Sequence, residues 1–332
     1  HLSIEKFTAR IAVQGLDWRE LKDHECESML DDVMDEILPE YNHGILQSTH
    51  RYQYLSKRLK RIGKRAVWLL TDHIRRSKFN PVGHEISFGL KGTYPPIEIE
   101  LADGEKMLLE GRIDRCDIYE RENDLFINVI DYKSGAESFD LSDAWFGLKL
   151  QLLVYLEAML EQEQRRIDGK ARPGGIFYFR IDDPLINTKE SVGEAIEKEI
   201  RKKLKLKGLV LKDVNLIRSM DNKISGYSEV LPVGVSDKND SIYANSSVLE
   251  EEDFIWLIKH IKEVIRELGA EMLNGNINIS PTKKGDETAC RYCPYDGICQ
   301  FDLQLENNRY RLIPSLKTEE VIERIRLRRE EN

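Results

Sequence analysis

Apolar residues recur at helical steps from the first residues of the chain, Ile4, Phe7 and Ile11 in "HLSIEKFTARI", which predicts a helix already under way at residue 1. Over residues 20–40 an apolar stripe of Leu30, Val33, Met34 and Ile37 lies among nine acids and a single lysine, the pattern of a solvated helix. Residues 51–78 invert the charge. Leu55, Leu59, Ile62, Ala66, Leu69 and His73 recur at steps of three and four among ten Lys or Arg and one acid, Asp72, predicting a long helix with one apolar and one basic side. After Asn80-Pro81, which disfavours further helix, three stretches are strand-like: "GHEISFGL" (83–90), "KMLLEGRIDRCDIYE" (106–120) and "DLFINVIDYKSG" (124–135). Helical spacing returns over 141–164, with Ser142 in the N-cap position, and "GGIFYFRI" (174–181) is a short buried strand. A helix near 189–206, polar loops or a hairpin over 220–250, an amphipathic helix over 251–273, a cysteine cluster and a charged helix from about 317 complete the chain.

At 332 residues the chain accommodates one large domain or two ordinary ones, at about 150 residues each. The pattern divides it into residues 1–282 and a Cys-bearing tail, 283–332. With 41% hydrophobic and 33% charged residues, and no apolar run near the roughly 18 that a bilayer span needs, it reads as a soluble protein with no membrane partner. Its net charge of -9 provides no global basic field, so a nucleic acid would have to be met by a local patch. The basic side of the 51–78 helix, with Arg58, Arg61 and Arg65, is the candidate, although the same pattern suits a solvated face. Five cysteines, an odd number, argue for a reducing compartment where thiolates can hold metal. A start at His1 inside an uncapped helix suggests a piece of a longer chain, and no secretory signal lies within it.

The densest chemistry lies on the second and third strands. Side chains alternate along a strand, so Asp131 and Lys133 share one face, about 6–7 Å apart, while Tyr132 points to the other. Glu110, Arg112 and Asp114 share a face of the preceding strand. If the two strands pair, Asp114 sits beside Asp131, and two close carboxylates repel unless a cation lies between them. Oxygen ligands in an open shell suit Mg²⁺, or Mn²⁺, with a neighbouring ammonium to act on water and phosphate. Taken alone, Asp131-Tyr132-Lys133 also fits an ordinary strand end with a surface ion pair.

Together "GRIDRCD", "VIDYKSG" and the helix bearing "LQLLVYL" resemble the PD-(D/E)XK nuclease superfamily, and within it the RecB-like module. The resemblance covers roughly residues 1–182. It implies a mixed α/β, restriction-endonuclease-like core in the order helix, three strands, helix, strand, with helical additions. It further implies that His1, Asp114, Asp131 and the Tyr132 carbonyl ligate metal and that Lys133 acts on water. Glu85 would serve a second ion or its water, and Gln151 and Tyr155 would hold DNA near the metals.

"CRYCPYDGIC" places Cys290, Cys293 and Cys299 in a C-x2-C-x5-C array, with Pro294 and Gly297 for turn geometry, a spacing suited to one metal centre. Following a RecB-like module, it is similar to the clasp of the AddB-type family of ATP-dependent helicase/nuclease subunits. That resemblance implies three ligands of a 4Fe-4S cluster, with the fourth upstream of His1. It also implies an exonuclease for single-stranded DNA on the 5′-ended strand in double-strand break repair, a helicase/nuclease partner of AddA type, and the bacterial cytoplasm. No G-x-x-x-x-G-K-S/T loop is present for ATP hydrolysis. Two alternatives stay open: a CRISPR-associated RecB-like exonuclease, and an inactive DNA-binding module whose cysteines hold zinc.

Overall fold

The computed structural model describes residues 1–101, 104–135, 137–186, 193–306 and 308–331. Three helices lead: α1 (Leu2–Gln14), α2 (Asp23–Glu40) and α3 (His50–Arg76). Their apolar stripes meet in one core containing Phe7, Ile11, Leu30, Met34 and Val67. The acidic α2 and the basic α3 also pair by charge, Lys60 with Asp35 at 2.6 Å, Lys64 with Asp31 at 2.6 Å and Arg75 with Asp23 at 2.5 Å. Neither helix is therefore solvated on its charged side alone, as the separate patterns suggested.

The chain continues through β1 (Asn80–Phe88), β2 (Ile97–Glu100), β3 (Lys106–Leu109), β4 (Gly111–Arg121) and β5 (Asp124–Lys133). Next come α4 (Leu141–Trp145), α5 (Gln151–Gln164), β6 (Ala171–Arg180), α6 (Gly193–Lys203), β7 (Lys207–Leu211) and α7 (Val214–Met220). Short strands β8 (Gly226–Tyr227), β9 (Gly234–Val235) and β10 (Val248–Leu249) precede the long α8 (Glu251–Leu273). The tail holds β11 (Thr282–Lys284), β12 (Glu287–Thr288), α9 (Asp296–Cys299), β13 (Arg311–Leu312) and α10 (Thr318–Glu331). Among the described residues no helix is long and apolar enough to cross a membrane.

Two compact units emerge. The first comprises residues 1–96, 110–139 and 152–254 and holds a six-stranded sheet ordered β1-β4-β5-β6-β7-β10. β1, β4 and β5 form an antiparallel meander, and β6 then lies parallel to β5, which a tight hairpin cannot achieve. The helix, three strands, helix, strand order is thus present. β5 is buried from Leu125 to Tyr132, as a central strand should be. Pro81 is tolerated because β1 is an edge strand. The second unit comprises residues 97–109, 140–151 and 255–332. In it Trp145 stacks on His260 with ring centroids 4.2 Å apart, the Arg328 guanidinium lies 5.0 Å over Trp145, and Lys284 bridges Asp140 and Asp143.

Several boundaries differ from the sequence pattern. The stretch over 106–120 is two strands: β3 pairs with β2 as a separate hairpin, the chain breaks at Glu110, and Gly111 resumes opposite Phe88 on β1. Glu110 stands at this break between the two strands, and its Oε1 accepts a hydrogen bond from Leu90 N at 2.8 Å. The helix over 141–164 is also two, because Gly147 and Lys149 take left-handed φ values of 83° and 51°. Asp140, not Ser142, caps α4 by accepting from Ser142 N. The Ser142 hydroxyl instead donates to Pro314 O and accepts from Leu316 N. β7 and α7 lie where no element was expected, β7 hidden behind the basic run "RKKLKLK". The helix expected near 189–206 is found as α6, while residues 189–192 lie outside the described residues.

Candidate active site

The register of the meander assembles the site. Arg115 on β4 faces Ile130 on β5, so the next position brings Asp114 beside Asp131. On the other side His84 faces Arg115 and Ile86 faces Ile113, placing Glu85 in line with Asp114. Three acids thus run across β1, β4 and β5. Glu85 has φ 54°, a left-handed conformation that costs a non-glycine residue on the order of 1 kcal/mol. α1 brings its N-cap residue to the same place, with His1 Nδ1 3.5 Å from Asp114 Oδ1.

Ligand atoms of His1, Glu85 and Asp114 all lie within 4.8 Å of one another. Asp114 is fixed from behind, its Oδ2 accepting from Tyr132 N at 2.5 Å. Lys133 Nζ is 2.5 Å from Asp131 Oδ2, and its ammonium also lies 5.4 Å from the Tyr178 ring centroid. The Tyr132 ring points away from the acids, as strand alternation requires, and rests between His1 and Phe179 with centroids at 6.0 and 5.7 Å.

The electrostatics are those of crowded negative charge. Burial, and then the Asp114 carboxylate, push the Glu85 carboxyl above the usual range against the opposing pull of Arg112. Burial raises the Asp131 carboxyl likewise, with Lys133 opposing and Asp114 adding. The hydrogen bond to Asp114 raises the His1 imidazole. Groups that hold protons more tightly because neighbouring acids repel are relieved by a cation. Two carboxylates and an imidazole suit a hard or borderline divalent ion such as Mg²⁺ or Mn²⁺, so the donor set fits the metal expected.

The remaining candidates fall in different places. Gln151 and Tyr155 are on α5, and Tyr155 is buried with its ring edge-on to Phe88 at 5.7 Å. A Cβ on Gly111 would come within 2.9 Å of Tyr155 Cε1 and 2.5 Å of Phe88 Cζ, so glycine at the head of "GRID" lets Tyr155 lie at the start of β4. Asp114 is three residues further on, about 10 Å along the strand. Of the three arginines, Arg61 and Arg65 both reach Asp183, with Nε–carboxylate distances of 2.5 and 3.7 Å. Arg58 is exposed and helps line a groove of about 650 Å³ that His1 and Ser134 also line.

In the second unit Cys290 and Cys293 are half-buried and Cys299 is exposed, all as free thiols. Slight burial and the neighbouring Cys293 and Cys299 thiols push the Cys290 thiol up. Cys26 and Cys116 are buried in the first unit.

Sequence reasoning did not assign a role to Arg112 or Glu5. Arg112 Nε is 2.6 Å from Glu85 Oε2 and its Nη2 is 2.8 Å from Glu5 Oε1. The signal available was the shared face of Arg112 and Asp114; the partners are distant in sequence.

A family profile for the PD-(D/E)XK nuclease superfamily matches residues 1–300. Among curated proteins, the B-type subunit of the ATP-dependent helicase/deoxyribonuclease of Alkaliphilus metalliredigens is 51% identical over 98% of this chain, and that of Alkaliphilus oremlandii 50% identical over 98%. The protein of the same name from Thermoanaerobacter sp. is 43% identical over 97%. The chain spans 28% of the length of each of these relatives.

Proposed function

The chain belongs to the PD-(D/E)XK nuclease superfamily, and from that premise we propose that it is the nuclease module of the B-type subunit of an ATP-dependent helicase/deoxyribonuclease, hydrolysing single-stranded DNA with a divalent cation. The observation that carries this reading is the convergence of His1, Glu85 and Asp114 from three elements, with the Asp131–Lys133 pair next in register.

In this reading His1, Glu85, Asp114, Asp131 and the Tyr132 carbonyl would hold Mg²⁺ or Mn²⁺, which when bound supplies Lewis acidity toward the phosphodiester and a water of lowered pKa. Asp114 is kept in one orientation by the Tyr132 amide, so its other oxygen, which faces His1 Nδ1, is aimed before substrate arrives. Lys133 donates to the attacking water or to a phosphoryl oxygen. The Asp131 carboxylate that it pairs with keeps the ammonium at the reacting face. Gln151 and Tyr155 on α5 position the strand, and Arg58 meets its phosphates.

Cys290, Cys293 and Cys299 would supply three of the four thiolates that a 4Fe-4S cluster takes. An AddA-type helicase/nuclease chain is the proposed partner, the 5′-ended strand the proposed substrate, and repair of double-strand breaks in the bacterial cytoplasm the proposed setting. Relatives bearing the B-type name at 43–51% identity favour this over a CRISPR-associated exonuclease, and the complete acidic set favours an enzyme over an inactive module. The test is digestion of end-labelled single-stranded DNA. It is expected to require Mg²⁺ or Mn²⁺, to stop on chelation, and to release label first from the 5′ end; cutting unaffected by chelation would overturn the reading.

A further inference from the structure

Arg112 occupies the centre of a three-element tie. It stands on β4 two residues before Asp114, so strand alternation places both on one face. Its Nε reaches Glu85 on β1 at 2.6 Å and its Nη2 reaches Glu5 on α1 at 2.8 Å. Glu5 lies one turn after His1 and its amide donates to His1 O at 2.9 Å, so whatever anchors Glu5 anchors the turn that carries the imidazole. One guanidinium thereby joins the strand bearing Asp114 to the strand bearing Glu85 and the helix end bearing His1.

The two anchored positions need an anchor. Glu85 sits in the left-handed region at φ 54°, which the backbone does not favour unaided. His1 is the N-cap of α1 and makes no side-chain capping hydrogen bond. The planar fork of an arginine can serve two carboxylates at once, which a lysine ammonium cannot do with fixed geometry.

We infer that Arg112 is a positioning residue that holds Glu85 and the His1 turn around Asp114 so that the divalent cation meets a preformed ligand set. This rests on the metal-centre reading above. It makes a prediction opposite in sign to simple screening. A guanidinium that only offsets the acids repels a dication, and its removal tightens cation binding; a guanidinium that positions ligands weakens binding when it is lost.

The experiment is calorimetric titration of the 332-residue chain with Mn²⁺ alone, without DNA, for the unsubstituted protein, Arg112→Ala, Arg112→Lys and Glu5→Gln. Arg112→Ala is expected to raise the dissociation constant about 10-fold or more, the usual scale for losing a residue that orients metal ligands. Arg112→Lys should recover only part of this, and Glu5→Gln should weaken binding by itself but add nothing in the Arg112→Ala background. Hydrogen exchange in the absence of metal provides a second reading: peptides covering residues 1–11 and 83–90 should exchange faster in Arg112→Ala while the rest of the sheet does not.

Binding that tightens or stays equal in Arg112→Ala, or full rescue by lysine, would overturn the inference and leave the metal centre standing. An unsubstituted chain that binds no Mn²⁺ would overturn the metal-centre reading instead. The exchange experiment would then still decide whether Arg112 ties the three elements.

Discussion

His73 is buried on α3, its ring edge-on to Phe179 at 5.6 Å, with no hydrogen-bond partner for either ring nitrogen among the described residues. Burial pushes its pKa down to about 3; the Arg115, Arg76 and Arg201 cations add to the effect and Asp72 opposes it. A histidine whose folded pKa lies below its unfolded value is protonated preferentially on unfolding, so its contribution is intact above about pH 7 and is lost as pH falls toward 3. At pH 5 the loss is about 2 kcal/mol relative to pH 8. Urea melts at the two pH values should show it, and His73→Leu should remove that share of the acid sensitivity; an unchanged pH dependence would contradict a neutral buried imidazole. At this scale much of the site was legible, because Asp114, Asp131 and Lys133 fall in short patterns whose strand geometry can be read locally. Arg112 was not legible as an anchor, since its partners lie 107 and 27 residues earlier in the chain and only the fold brings them together.

Among the elements, α3 shows that charge read one segment at a time leaves out the partners other segments bring. Its basic pattern suggested a face for DNA, yet Lys60, Lys64 and Arg75 are taken by α2, while Arg61 and Arg65 are taken by Asp183. Arg51, Lys57 and Arg58 make no ion pair among the described residues, and Arg58 lines the groove that includes His1. Arg58→Gln should therefore lower the slope of log affinity against log salt for single-stranded DNA by about 0.7, the value for one phosphate contact, while Arg61→Gln and Arg65→Gln change it less. Equal slopes for all three would place the strand elsewhere. The strands were legible from alternation and the helices from periodicity. The breaks at Glu110 and Gly147 were not: each lies inside a run whose pattern continues across it, and pairing with β1 or a left-handed backbone turn decides the boundary.

For the whole molecule, the family was legible because its motifs are local and ordered, whereas the interleaving of three segments into each unit depends on tertiary contacts that no window of sequence contains. The cysteine segment stands between these cases, its spacing plain in the sequence. On the proposed cluster reading, three thiolates where a cubane takes four should give the 332-residue chain, purified anaerobically, substoichiometric iron, lost further in Cys293→Ser. Four irons per chain would show that another group completes the set. The account as a whole turns on the acids across β1, β4 and β5, and it is tested most directly by digestion of end-labelled single-stranded DNA in Mg²⁺ by the unsubstituted chain, Asp131→Asn and Lys133→Ala. Both folded variants should lose at least about 100-fold in rate, Lys133→Ala while still binding Mn²⁺. Digestion by folded Asp131→Asn at the unsubstituted rate would contradict the account.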